Sequence, residues 1–277
     1  MFEILQYQFM QNAIIAAFLV SIACGIVGTY VVVKKIVALS GGVAHTAFGG
    51  IGLGYLVGID PLLAAVPWTI LSALGIGTIS KETQISEDTS IGMFWAVGMA
   101  LGILFIYMSS GYAPDLFSYL FGNILTVPSS ELLLMALMDV VIILFAFIFY
   151  KKLEAVSFDE EFAEISGINT RYIYLLLLCM VALSVVVMIK AVGIILVIAL
   201  LALPAAIARK YSSNLLGMMG YAIGLSILLS LGGLYLSYIF DLPSGSTIIL
   251  LLAAAFLLSS LQQKISKPKR IRPTSQK

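Results

Sequence analysis

The chain has a single histidine, His45, set in a run of small residues. At helical spacing Gly41, Gly49 and Gly52 (i−4, i+4 and i+7) share its face. A face of small residues lets helix backbones approach closely, so the imidazole is expected in a tight helix–helix seam. There a ring nitrogen can bind a transition metal. The alternative is a histidine that hydrogen-bonds to a neighbouring helix.

A second group is acidic. Asp139 lies about nine residues into an apolar segment, where a carboxylate must be paired, protonated or facing water. It can pair with Lys190, form part of a path or bond to a hydroxyl. Asp60, Asp115, Glu131 and Asp241 fall near the ends of apolar segments, on the side where Lys190 is the only base. Together they make a negative mouth that favours cation entry; taken singly, each is explained by ordinary solvation of a loop end. Asp60 and Asp241 each precede a proline and read as helix starts, where a carboxylate satisfies free N–H groups.

A third group is the polar segment 151–170. Ser157 followed by Glu160 has the spacing of a capping box, and Gly167 can end the short helix that follows. Phe158, Phe162 and Ile165 share one face, with acids opposite. Such a helix can dock into a partner's groove or lie on the bilayer. Its acidity disfavours the second, because inner headgroups are anionic. Cys24 and Cys179 lack metal-type spacing and read as small hydrophobes.

The elements that position these residues are membrane spans. The chain is 61% hydrophobic and 10% charged, with mean hydropathy +1.09. Apolar runs at 12–33, 40–58, 61–80, 90–109, 131–150, 171–189, 191–208, 215–239 and 245–263 are long enough to cross a ~30 Å hydrocarbon core as helices. The alternating segments of a membrane barrel are absent. Threading these runs puts 14 of the 15 Lys and Arg residues on one side, and basic loops mark the cytoplasm. The expectation is an all-α polytopic protein of the cell membrane, N-terminus outside and C-terminus cytoplasmic, with eight or nine transmembrane helices. The glycine-rich 40–58 and the short 191–208, which carries Pro204, read either as full crossings or as half-helices. Residues 1–263 form one membrane domain, followed by a basic tail, 264–277, suited to anionic headgroups. The first span is read as retained, since Glu3 and the missing basic start argue against a signal peptide. A net charge of +1 gives no reason to expect nucleic acid. No Gly-x-x-x-x-Gly-Lys-[Ser/Thr] phosphate loop is present, so any ATP-driven work requires another chain.

Five pieces in order resemble one family. They are the glycine-rich helix with His45, Phe117-Ser-Tyr-Leu-Phe-Gly122, Ser-Phe-Asp-x-x-Phe-Ala-x-x-x-Gly at 157–167, Leu-Pro-Ala-Ala-x-Ala-Arg at 203–209, and Asp-x-Pro-Ser-Gly at 241–245. The chain is similar to the ABC-3 permease subunits of ATP-binding-cassette importers for zinc, manganese or iron(II). The resemblance implies a homodimeric permease, two copies of a separate ABC ATPase, and an extracytoplasmic metal-binding protein that delivers the ion. It implies that 151–170 couples to the ATPase, with Asp159, Phe162, Ala163 and Gly167 on matching positions. It implies no permanently bound cofactor: the divalent metal is cargo and ATP sits on the partner. Many relatives have Asp-x-x-x-His where this chain has Gly41 and His45; His45 matches and the carboxylate does not.

The function expected from these residues is the membrane subunit of a divalent-metal importer, zinc first, manganese or iron next. Its rivals are a proton-coupled carrier using Asp139 and His45 and an ABC permease for a metal chelate.

Overall fold

The computed structural model describes residues 6–83, 85–109 and 122–266. Among them all regular structure is helical: α1 (Gln8–Lys34), α2 (Val37–Val57), α3 (Pro61–Glu82), α4 (Glu87–Met108), α5 (Ser129–Ile148), α6 (Tyr150–Phe158), α7 (Glu160–Ile165), α8 (Thr170–Ala208), α9 (Leu215–Phe240) and α10 (Ser244–Ser266), with a 3-10 turn at Ile124–Thr126.

Local sequence sets the boundaries. Asp60 caps α3, its Oδ1 accepting from the Leu62 and Leu63 amides at 2.9 and 3.2 Å, and Pro61 follows at the first helical position. Ser86, Asn169 and Asn214 cap α4, α8 and α9 in the same way. Asp241, expected at a helix start, instead ends α9 in the left-handed conformation at φ 51°. An aspartate tolerates that conformation better than most side chains.

Nine segments of the described residues are long and apolar enough to cross a membrane. The glycine-rich 40–58 is part of one unbroken helix, α2. The second open segment lies within α8. This helix is interrupted at Gly193, whose φ of 76° and ψ of 161° are not helical, leaving spans Thr170–Ile189 and Ala191–Ala208. Both its ends lie at one face of the molecule. Arg171 pairs with Glu82 at the end of α3, and Arg209 donates to the Val32 carbonyl near the end of α1 (3.2 Å). An unbroken helix of this length would extend roughly 58 Å and would place its ends on opposite faces. The chain therefore reverses at Gly193, and the residues after it return toward the face where α8 begins. A Cβ on Gly122 (φ 60°) would collide with the backbone of Val192 and Gly193, so that loop backbone sits directly on the reversal.

The core lies along α1, α2 and both segments of α8, while α4, α5 and α10 are mostly exposed along their lengths. α2 packs against α3, α4 and α8. Its approach to α4 is backbone to backbone: a Cβ on Gly52 would strike Gly102, and one on Gly98 would lie 2.8 Å from the Thr46 Cα. Gly98 and Gly102 form a Gly-x-x-x-Gly pair, the spacing that brings membrane helices close.

The basic residues collect at one face. Lys34 at the end of α1 and Lys81 at the end of α3 meet on Glu160, and Lys210 donates to Ser259 (2.9 Å) and Ser260 (2.6 Å) of α10. At the other face Asn12 near the start of α1 donates to the Val127 carbonyl (3.0 Å) and to Ser129 (3.2 Å).

Candidate functional site

His45 projects from the third turn of α2 and is half-buried. Its ring stacks flat on Trp95 of α4, with centroids 4.2 Å apart and planes 8° apart. Trp95 is fixed in turn by its own Nε1, which donates to the Met99 sulfur at 3.1 Å. His45 Nδ1 is buried and has no hydrogen-bond partner. The ring is thus held by stacking rather than by the interhelical hydrogen bond that the sequence left open at this nitrogen. A buried nitrogen without a partner is costly and is available to a ligand.

The three glycines on the His45 side of α2 meet three different neighbours. Gly41 faces Ile198 in the second segment of α8, Gly49 faces the Trp68 ring of α3, and Gly52 faces Gly102 of α4. A Cβ would lie 2.5 Å from the Trp68 ring at Gly49, whereas at Gly41 it would lie 3.5 Å from the nearest atom, an ordinary contact. The seam is therefore closed at 49 and 52 and open at 41. Among the described residues no three His, Cys, Asp or Glu side chains gather as a metal site.

Asp139 on α5 is 3% exposed, and neither carboxylate oxygen has a hydrogen-bond partner among the described residues. The hydroxyl bond that the sequence allowed is not made. Asp60 is committed to capping α3, and Asp241 ends α9. Glu131 lies in the first turn of α5. Asp115 and most of the 117–122 motif lie outside the described residues.

The 151–170 segment folds as two short helices, α6 and α7, broken at Asp159. Asp159, not Ser157, caps α7: its Oδ1 accepts from the Phe162 amide at 2.9 Å. The expected capping box is absent because Ser157 still belongs to α6 and Glu160 is drawn elsewhere. Lys34 Nζ donates to Glu160 Oε2 (2.7 Å) and to the Val156 carbonyl (2.9 Å), and Lys81 Nζ pairs with Oε1. Burial pushes the Glu160 carboxyl up, but its hydrogen bonds to Lys34 and Lys81 outweigh that and hold it below its ordinary range. Gly167 follows α7 at φ 81° and returns its amide to the Glu164 carbonyl (2.9 Å). Ala163 is fully buried beneath α7, while Phe158, Phe162 and Ile165 are 65%, 64% and 86% exposed. The result is an apolar patch on a polar loop, clamped from below to two spans.

Sequence reasoning missed Trp95, the Lys34–Glu160–Lys81 clamp and the reversal at Gly193. The Gly98/Gly102 spacing was a usable signal for the α2–α4 contact; nothing in the sequence paired Glu160 with two distant lysines.

Nine apolar spans among the described residues define a multi-pass membrane protein. Residues 6–263 match the ABC 3 transport family, and the chain belongs to that family. It is 48% identical over 259 residues to an uncharacterised membrane protein of Synechocystis sp., covering 94% of this chain and 92% of that one. It is 33% identical over 258 residues to a manganese transport system membrane protein of Listeria innocua, covering 93% and 92%. Among solved structures, PsaBC from Streptococcus pneumoniae, in complex with Fab, matches with TM-score 0.83 and 32% identity over 92% of each chain. The chain is accordingly a metal-transport permease, multi-pass in the plasma membrane.

Proposed function

We propose that this chain is the membrane subunit of an ATP-driven importer for a divalent transition-metal ion. Two copies would form the pathway, with the N-terminus outside and the basic face in the cytoplasm. A separate ATPase would dock on α6 and α7, and an extracytoplasmic binding protein would deliver the ion at the opposite face. Residues 1–263 would be the permease domain and 264–277 a tail at the lipid surface.

The observation that carries this reading is the α6–α7 segment. Three large apolar side chains stand exposed on a loop whose Glu160 is tied to the ends of α1 and α3. A partner that moves this loop pulls directly on two spans, and α3 packs on α2, which bears His45. The work then comes from stabilising one state of the bundle over another.

His45 is the residue proposed to touch the ion. The histidines of two copies leave a zinc ion short of four ligands. Gly41 and Ile198 supply no donor side chain, so water or a residue of the second copy would complete the shell. Manganese is placed ahead of zinc, on the likeness to the Listeria innocua protein. The ordering that put zinc first went with the missing carboxylate at Gly41, since manganese favours oxygen ligands.

One observation favours a second reading. Asp139 is buried with both oxygens unpartnered, as a proton site would be. The test is co-purification with the candidate ATPase in lipid, then metal titration with the binding protein present. ATPase stimulation by one metal, abolished in His45→Ala, supports the importer. No associated ATPase, with metal uptake driven by a proton gradient, replaces it with the carrier.

A further inference from the structure

On the basic face, α1, α5, α6 and α9 enclose a groove of about 620 Å³ that the transport account does not use. Its walls are apolar, with Ile26, Ile143, Phe147 and Met219 among them, and its rim carries Lys151 and Lys152. These walls belong to spans, and the lysines follow the last residue of α5 by three and four positions. The groove thus runs from hydrocarbon depth to headgroup depth.

The two lysines on the groove rim differ from Lys34, Lys81 and Lys210. Lys34 and Lys81 are bound to Glu160, and Lys210 is bound to two serines of α10. Lys151 and Lys152 are exposed, and neither forms an ion pair among the described residues; the Lys152 ammonium lies over the Phe149 ring, 5.9 Å from its centroid. The nearest acid along the same helix, Glu154, accepts from the Tyr150 hydroxyl at 3.0 Å. Two ammonium groups with no acidic partner among the described residues, above an apolar trough, match one ligand chemistry: a phosphate monoanion joined to an acyl chain.

We propose that this groove binds an anionic phospholipid, with its acyl chain between α1, α5 and α9 and its phosphate on Lys151 and Lys152. The lipid would brace α6, which leads into α7, and so would set the rest position of the segment that carries the exposed patch. The site does not depend on which ion crosses the bundle.

The test uses the full chain in detergent, with phosphatidylglycerol and phosphatidylcholine offered in equal amounts. Native mass spectrometry counts the lipid retained, and thermal unfolding reads its effect. Phosphatidylglycerol is expected to be retained preferentially and to raise the unfolding midpoint. Lys151→Gln with Lys152→Gln is expected to lower that preference roughly 10- to 30-fold; Lys151→Arg with Lys152→Arg keeps it. Ile143→Trp, which fills the trough and leaves the charges, is expected to reduce retention of the same lipid. A chain neutralised at Lys267, Lys269, Arg270 and Arg272 is expected to keep the preference. The proposal is overturned if the glutamine pair retains phosphatidylglycerol like wild type, if inorganic phosphate gives the same stabilisation, or if the Phe147→Cys variant crosslinks through position 147 to a second copy across the groove.

Discussion

The His45 imidazole lies flat on the Trp95 indole, 4.2 Å from centroid to centroid. This contact orients the ring without engaging its nitrogens, and Nδ1 stays buried and unpaired. A ring positioned by hydrogen bonding would have spent a donor or acceptor; one positioned by stacking keeps both nitrogens for other partners.

Trp95→Ala therefore removes positioning and leaves the ligand atom. An aromatic stack contributes about 0.5–1.5 kcal/mol, so apparent metal affinity in uptake is expected to fall roughly two- to tenfold. Trp95→Phe should recover most of it. Concentration dependence of uptake in the three variants checks this. Equal loss in Phe and Ala would mean that the indole acts in another way.

The glycines of α2 make a graded prediction. Gly52 meets the backbone of Gly102, which cannot move aside, and Gly41 has ordinary van der Waals room. Gly52→Ala is expected to destabilise by about 1–3 kcal/mol as overpacking, read as a lower unfolding midpoint in detergent. Gly41→Ala is expected to be neutral or slightly stabilising, since alanine favours helix. A reversed order would show that the α2–α4 seam is not where the fit is tight.

Glu160 ties the α6–α7 segment to α1 and α3, so Glu160→Gln should loosen that segment while keeping its volume. Faster amide exchange across 157–167 is expected, with metal uptake per ATP hydrolysed several-fold lower. The pH dependence has a definite sign. The folded carboxyl is held below its unfolded range, so its stabilising effect is complete above about pH 4.3. That effect is lost as pH falls through the lower folded value. Exchange across the segment should be unchanged between pH 6 and 8 and rise only in acid.

Phe158 and Phe162 are large, exposed and fixed to a clamped loop, the setting in which aromatic side chains dominate partner binding. Phe162→Ala is expected to weaken ATPase association by about 2 kcal/mol, near thirtyfold, measured by co-purification or by titration of the isolated ATPase. Unchanged association would place the docking surface elsewhere.

The spans were legible because hydrocarbon thickness dictates both their length and their composition. Whether 191–208 crosses was left open by its length and by Pro204, and the two ends of α8 lie at one face. The turn at Gly193 was not legible. A single non-helical glycine in an apolar run looks like any other, and its meaning depends on the backbone of Gly122 resting against it. The α7 cap was misread because Ser157 and Asp159 both have capping side chains, and spacing alone favours neither. What separated them was Glu160, drawn to Lys34 and Lys81 from residues 126 and 79 positions away. His45 stood out by type, yet Trp95, the residue that holds it, lies on a different span and carries no local signal.

The measurement that bears most directly on the central claim is metal uptake into vesicles holding this chain, its ATPase and trapped ATP, with the binding protein outside. Manganese, iron(II) and zinc would each be supplied to wild type and to His45→Ala. The account predicts ATP-dependent uptake of at least one of these ions, and a loss of about tenfold or more when His45 is removed from a chain that still folds and binds the ATPase. Uptake that proceeds without ATP, or that is undiminished in His45→Ala, would contradict it.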